Sequence, residues 1–137
     1  MNDDVTLLRQ TITQGEEVSD EIVDRLGDRR VTALISAALA EAARRRFTSA
    51  SLEEIKAYAD NLLVRFRNSS GGVKPLHAEL LIRAAITGDP SLIEPLSGEE
   101  VLSMCFLLVY AIMSEEKLDP LAENAYIDGV IAEADSY

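Results

Sequence analysis

A chain of 137 residues, 47% apolar, with four prolines and no tryptophan, is long enough for one hydrophobic core and too apolar for a disordered tail. Asp and Glu number 24 against 13 Lys and Arg, a net charge of −11, which disfavours non-specific binding to nucleic acid or anionic membrane. The longest dense apolar run, MCFLLVYAIM, is 10 residues, too short to cross a bilayer. The acidic start MNDDVTLLRQ does not read as a signal peptide, so a cytoplasmic location without membrane association is expected.

Every periodic stretch reads as helix. The first spans Asp4–Thr13, with Val5, Leu8 and Ile12 on one side and Gly15 as its stop. A short second helix starts at Ser19, presents Ile22, Val23 and Leu26, and ends at Gly27. The third, Arg29–Arg46, places Leu34, Ile35, Ala38, Leu39 and Ala42 within an arc of roughly 140° from Val31 and carries alanine on its other sides. Small residues all round let neighbours approach closely, so this helix is expected at the centre.

Ser51-x-x-Glu54 is a capping box for a fourth helix, whose stripe is Leu52, Ile55, Ala59, Leu62, Leu63 and Phe66. Residues 67–74, RNSSGGVK, form an expected flexible loop. Pro75 opens a fifth helix that reaches Thr87, with Gly88 after it; apolar residues surround most of its circumference, which predicts deep burial. SLIEPL reads as a short helical fragment. Ser97-x-x-Glu100 opens a helix to about Met113, and Asp119-Pro120 is the N-cap and first-turn pair of the last. SLEEI at 51–55 resembles SGEEV at 97–101, but both are what any capped helix start looks like. The expected fold is all-α: a compact single-domain bundle, residues 1–137, of five main helices plus one or two short ones, mostly antiparallel neighbours.

The inventory of reactive side chains is thin and points away from catalysis. His77 is the only histidine and Cys105 the only cysteine, so no zinc set or disulfide can form within one chain, and a catalytic triad has one histidine to build on. No Glu-x-x-His, calcium-loop or nucleotide-binding glycine pattern occurs. No catalytic residue, metal ligand or cofactor is assigned. Among acids inside apolar helical text, Glu41, Asp60, Glu79 and Glu123 stand out.

The charge is polarised. Residues 31–70 hold 6 bases and 4 acids, net +2, while residues 71–137 hold 3 bases and 12 acids, net −9. The acids Glu99, Glu100, Glu115, Glu116, Asp119 and Glu123 form a candidate interaction surface. Pairing the third and fourth helices antiparallel puts Arg29, Arg30, Arg65 and Arg67 in one candidate basic cluster and Arg44, Arg45 and Arg46 in another, roughly 20–25 Å away. On the third-helix wheel Arg45 and Arg46 lie inside the apolar arc and Arg44 outside it, so the three cannot fan toward one partner. They read as the cationic end of a helix dipole, with Arg44 the least consequential. Such bases are expected to meet acids of the C-terminal half, within one chain or across a homodimer.

The reading these features favour is a small helical interaction module (adaptor, inhibitor or immunity-type) that offers an acidic surface to a protein partner, with a basic partner the best match. One alternative is a small-ligand binder or enzyme with a pocket near Cys105 or His77 and a carboxylate aimed into it. The other is a nucleic-acid-associated regulator that uses the two basic clusters, which the overall charge argues against.

Overall fold

The computed structural model describes residues 3–14, 19–66, 74–93 and 98–136. Over these the chain forms seven α-helices, a 3-10 turn and no strand. They are α1 (Asp3–Gln14), α2 (Asp20–Leu26), α3 (Asp28–Phe47), α4 (Leu52–Arg65), α5 (Pro75–Thr87), α6 (Gly98–Glu116) and α7 (Pro120–Asp135), with the turn at Pro90–Ile93. The fold is all-α, and six helices rather than five have 12 or more residues, because α1 is a full-length packed element. The loop expected over 67–74 falls outside the described residues except for Lys74, and so does Ser97 of the second capping box.

Helix boundaries follow local chemistry. The Ser51 hydroxyl accepts from the Glu54 amide at 3.2 Å, and Asp119 Oδ1 accepts from the Ala122 amide at 2.7 Å, each relieving an orphan donor of a first turn. Ser19 sits at the N-cap of α2 but makes no side-chain cap; its own amide donates to Gln10 Oε1 at 2.9 Å instead, tying α1 to α2. Gly27, at φ 86°, closes α2 and opens α3, and Gly88, at φ 73°, ends α5. α6 continues three residues beyond Met113, which carries Glu115 onto its last turn.

α3 is the hub. It packs on α5, α6 and α7 and also touches α1 and α2. Leu34, Ile35, Ala37, Ala38, Ala42 and Ala43 have no accessible surface, so close approach of neighbours at the alanines is what makes the central position possible. α6 supplies the opposite wall, burying Leu108, Val109, Ala111 and Ile112 completely. The Tyr126 hydroxyl on α7 donates to the Ala38 carbonyl at 2.7 Å, so the largest fully buried side chain is also hydrogen-bonded.

Two expectations are corrected. α4 packs on α5 and meets α3 only near its C-terminal end, where the Phe47 and Tyr58 rings stand edge to face at 5.0 Å. Its buried side is Ile55, Tyr58, Ala59 and Leu62, while Leu52 and Leu63 are exposed. α5 is not deeply buried either. Only Ala78, Leu81 and Ile82 are enclosed, and Leu76 is 62% exposed. α6, with Leu108, Val109, Ala111 and Ile112 fully enclosed, is the more deeply buried of the two.

Candidate functional site

The ends of the arginine run and the acids of α6 and α7 assemble into an internal network. Arg44 Nη2 lies 2.6 Å from both Glu41 Oε1 on its own helix and Glu133 Oε1 on α7. Those two carboxylates, Glu133 first, hold the Arg44 guanidinium more firmly protonated than usual. Arg45 lies over the Tyr126 ring at 5.3 Å, and Arg46 over the Phe47 and Tyr58 rings at 5.8 Å each. The wheel separates Arg44 from Arg45 and Arg46, yet Arg44 and Arg45 both reach α7 while Arg46 reaches α4. It misjudges their importance, because Arg44 is the one that clamps α3 to α7.

A second node forms at Glu115. Its Oε2 accepts from the Tyr58 hydroxyl at 2.7 Å and from Arg65 Nη1 at 2.9 Å, and its Oε1 lies 3.6 Å from Arg46 Nη2. One carboxylate thus joins α6 to the ends of α3 and α4. Burial, then this carboxylate, pushes the Tyr58 phenol well above its ordinary range. Arg65 consequently stands with Arg46 rather than with Arg29 and Arg30, which moves it out of the cluster expected from the sequence. Arg30 binds Asp4 at 2.6 Å and Asp135 at 2.8 Å, joining α1, α3 and α7. Arg29 is exposed and lines a depression of about 640 Å³ with Leu26, Arg30, Ala33, Ala134 and Asp135. Arg67 lies outside the described residues.

Three acids of the candidate surface, Glu115, Asp119 and Glu123, have partners within the fold. Glu115 is occupied as above, Glu123 lies 3.7 Å from Arg9 of α1, and Asp119 caps its own helix. Glu116 is half-buried on the last turn of α6. The side chains of Glu99 and Glu100 lie outside the described set. The bases of α3 and α4 do meet acids of the C-terminal half, and they do so within one chain.

A cleft of about 320 Å³ opens where α3, α5, α6 and α7 converge. Its walls are mostly apolar: Leu39 and Ala40 of α3, Leu81, Ala84 and Ala85 of α5, and Val101 and Cys105 of α6. Ser36, Arg44, Gly88, Asp89 and Glu133 complete the lining. The space exists because the residues facing across it are small. Ser36 and Ala40 lie on the side of α3 opposite its leucine arc, and Ala84, Ala85 and Gly88 meet them from α5. α5 carries more apolar surface than its packing uses, and part of that excess forms this wall.

Glu133 is the notable lining group. Its Oε1 is taken by Arg44, while its Oε2 is buried and accepts no hydrogen bond, the single such side-chain atom among the described residues. Glu133 was not among the acids singled out from the sequence. The signal was present: it stands seven residues after Tyr126 and three after Val130, on the buried side of α7. Cys105 is buried, and that burial pushes its thiol up to about 12, so it shapes the wall and is no nucleophile at neutral pH. His77 is half-buried in the first turn of α5 and does not line the cleft. Among the described residues no group of three or more His, Cys, Asp or Glu could hold a metal ion, and no helix is long and apolar enough to cross a membrane.

No family model, curated protein or solved structure matches this chain. The geometry of the cleft and of the two ionic nodes is therefore what a functional reading rests on.

Proposed function

We propose that the chain is a small-ligand-binding protein whose site is the cleft between α3, α5, α6 and α7. The observation that carries this reading is the cleft itself: about 320 Å³, apolar on most sides, with an ionic group at one end. Ligand sites have this make-up, in which apolar walls supply affinity and a few polar groups fix orientation. A lining that includes Cys105 and Glu133 supports the alternative raised from the sequence, a pocket near Cys105 with a carboxylate aimed into it. The reading is one of binding, carried by the apolar walls and the ionic group at one end.

The test is a ligand-observed NMR screen of small apolar fragments, repeated on Ala84→Phe and Ser36→Phe, which fill the cleft from opposite walls. Saturable binders lost in both variants support the reading. Absence of any saturable binder, or binding unaffected by either substitution, sinks it.

A protein-interaction role is the second reading, and the surface that favours it has moved. Leu52, Leu63 and Val64 on α4 and Leu76 on α5 are 46–62% exposed, whereas Glu115, Glu123 and Asp119 are engaged internally. A protein partner or a second copy of the chain would use these exposed apolar side chains. A nucleic-acid role loses support, since Arg30, Arg44, Arg46 and Arg65 each pair with a carboxylate of the same chain.

A further inference from the structure

The charged end of the cleft says which ligands suit it. Among the described residues Arg44 is the one cation in the lining, and a single nitrogen of it, Nη2, serves Glu41 and Glu133 at 2.6 Å each. Two carboxylates already sit against that guanidinium, and their charge disfavours an anionic ligand beside it. Glu133 Oε2, in contrast, is an acceptor cut off from solvent and holding no donor. A buried acceptor in that state is costly, and a donor brought to it recovers the loss. Asp89 adds a second carboxylate to the lining; its acidity is strengthened by the Ser91 hydroxyl and amide, so it stays ionised. Glu41 and Glu133 face one guanidinium, and Asp89 adds negative charge to the lining, in a chain of net charge −11. Such a field attracts cations into the cleft and repels anions.

From this charge arrangement we infer that the cleft takes a small organic amine in its protonated form: an apolar body against Leu39, Leu81, Ala85 and Val101, and an ammonium group donating to Glu133, with Asp89 contributing attraction. A slight tilt of the Glu133 side chain, which keeps about a quarter of its surface accessible, brings Oε2 into the cleft without breaking the Oε1 bond to Arg44. The ammonium is then a charge-assisted donor to a low-dielectric acceptor, the stronger class of hydrogen bond. This inference rests on the cleft being the ligand site.

Three probes of matched body separate the two claims: 2-phenylethylamine, 2-phenylethanol and 3-phenylpropanoate, titrated by calorimetry at low salt and followed by amide shifts. The amine is expected to bind about tenfold more tightly than the alcohol, with the carboxylate weakest. Glu133→Gln should remove most of that preference, lowering the affinity of the amine more than that of the alcohol. Should Glu133→Gln fold poorly, Asp89→Asn, at an exposed position, provides the same test with an expected two- to threefold loss for the amine alone. Equal affinities for amine and alcohol, or a preference for the carboxylate, overturn the amine assignment and leave the cleft as a binding site. Failure of all three probes to bind saturably overturns both.

Discussion

Replacing Glu115 with alanine tests the more connected of the two ionic nodes. The change strands the Tyr58 hydroxyl, on a residue only 9% exposed, without its acceptor at 2.7 Å. A buried donor left unpaired costs about 1–3 kcal/mol. The Arg65 pair at 2.9 Å joins side chains that are about one-third exposed, so it adds no more than about 0.2–1 kcal/mol, and the Arg46 contact at 3.6 Å adds less. Loss of about 2–3 kcal/mol is expected, a fall in Tm on the order of 5–12 °C for a domain of this size. Glu115→Gln is the informative companion, since an amide oxygen still accepts from Tyr58 but holds no charge. It should cost under about 1 kcal/mol, and the difference from wild type should shrink in about 0.5 M salt. Urea and thermal unfolding followed by circular dichroism measure both. A Glu115→Ala protein within about 0.5 kcal/mol of wild type would refute the hub, and a glutamine variant as damaged as the alanine one would show that charge, not the phenol, sets its strength.

Other predictions follow from the same contacts. Arg44→Ala releases Glu41 and Glu133 together and should cost about 1–2 kcal/mol, more than Arg45→Ala, which loses only a ring contact worth about 0.5–1 kcal/mol; equal urea midpoints would contradict this order. Tyr58, Tyr126 and Cys105 all have ionisations raised chiefly by burial, so they keep protons that the unfolded chain has released. The stability they contribute is complete below about pH 8.5, where the unfolded thiol begins to ionise, and declines as pH rises through about 10, where unfolded tyrosines do. Absorbance at alkaline pH should therefore show two of the four tyrosines ionising only with unfolding; four independent titrations near the ordinary value would contradict it. Cys105 should react with a disulfide reagent at the rate of unfolding, and fast stoichiometric labelling of native protein would place it outside the core.

Local signals carried the helices and not their crossing. Ser51, Asp119 with Pro120, and Gly88 each mark a boundary through hydrogen-bonding or backbone freedom that acts within a few residues, and each stands where its chemistry requires. The alanine-rich wheel of α3 likewise announces a helix that neighbours can approach on several sides. What a wheel cannot express is the angle at which a short connection such as residues 48–51 delivers the next helix. α4 therefore lies on α5, and Arg65 reaches Glu115 instead of the start of α3. Charge segregation between halves of the chain was legible, but its meaning was not. Opposite charges distant in sequence became ion pairs inside one molecule, which engaged Glu115 and Glu123 of the acidic surface that the composition suggested. The cleft was half legible: Cys105 marked its floor, while Glu133 lay hidden among small apolar neighbours as one more polar residue of a terminal helix.

The ligand site is tested most directly by an amide-resolved NMR titration of the wild-type chain with 2-phenylethylamine. Saturating shifts gathered at residues 36–44, 81–89, 101–105 and 133, and lost in Ala84→Phe, are the predicted result. Shifts that fail to saturate, or that gather on the exposed side at Leu63, Val64 and Leu76, would contradict it.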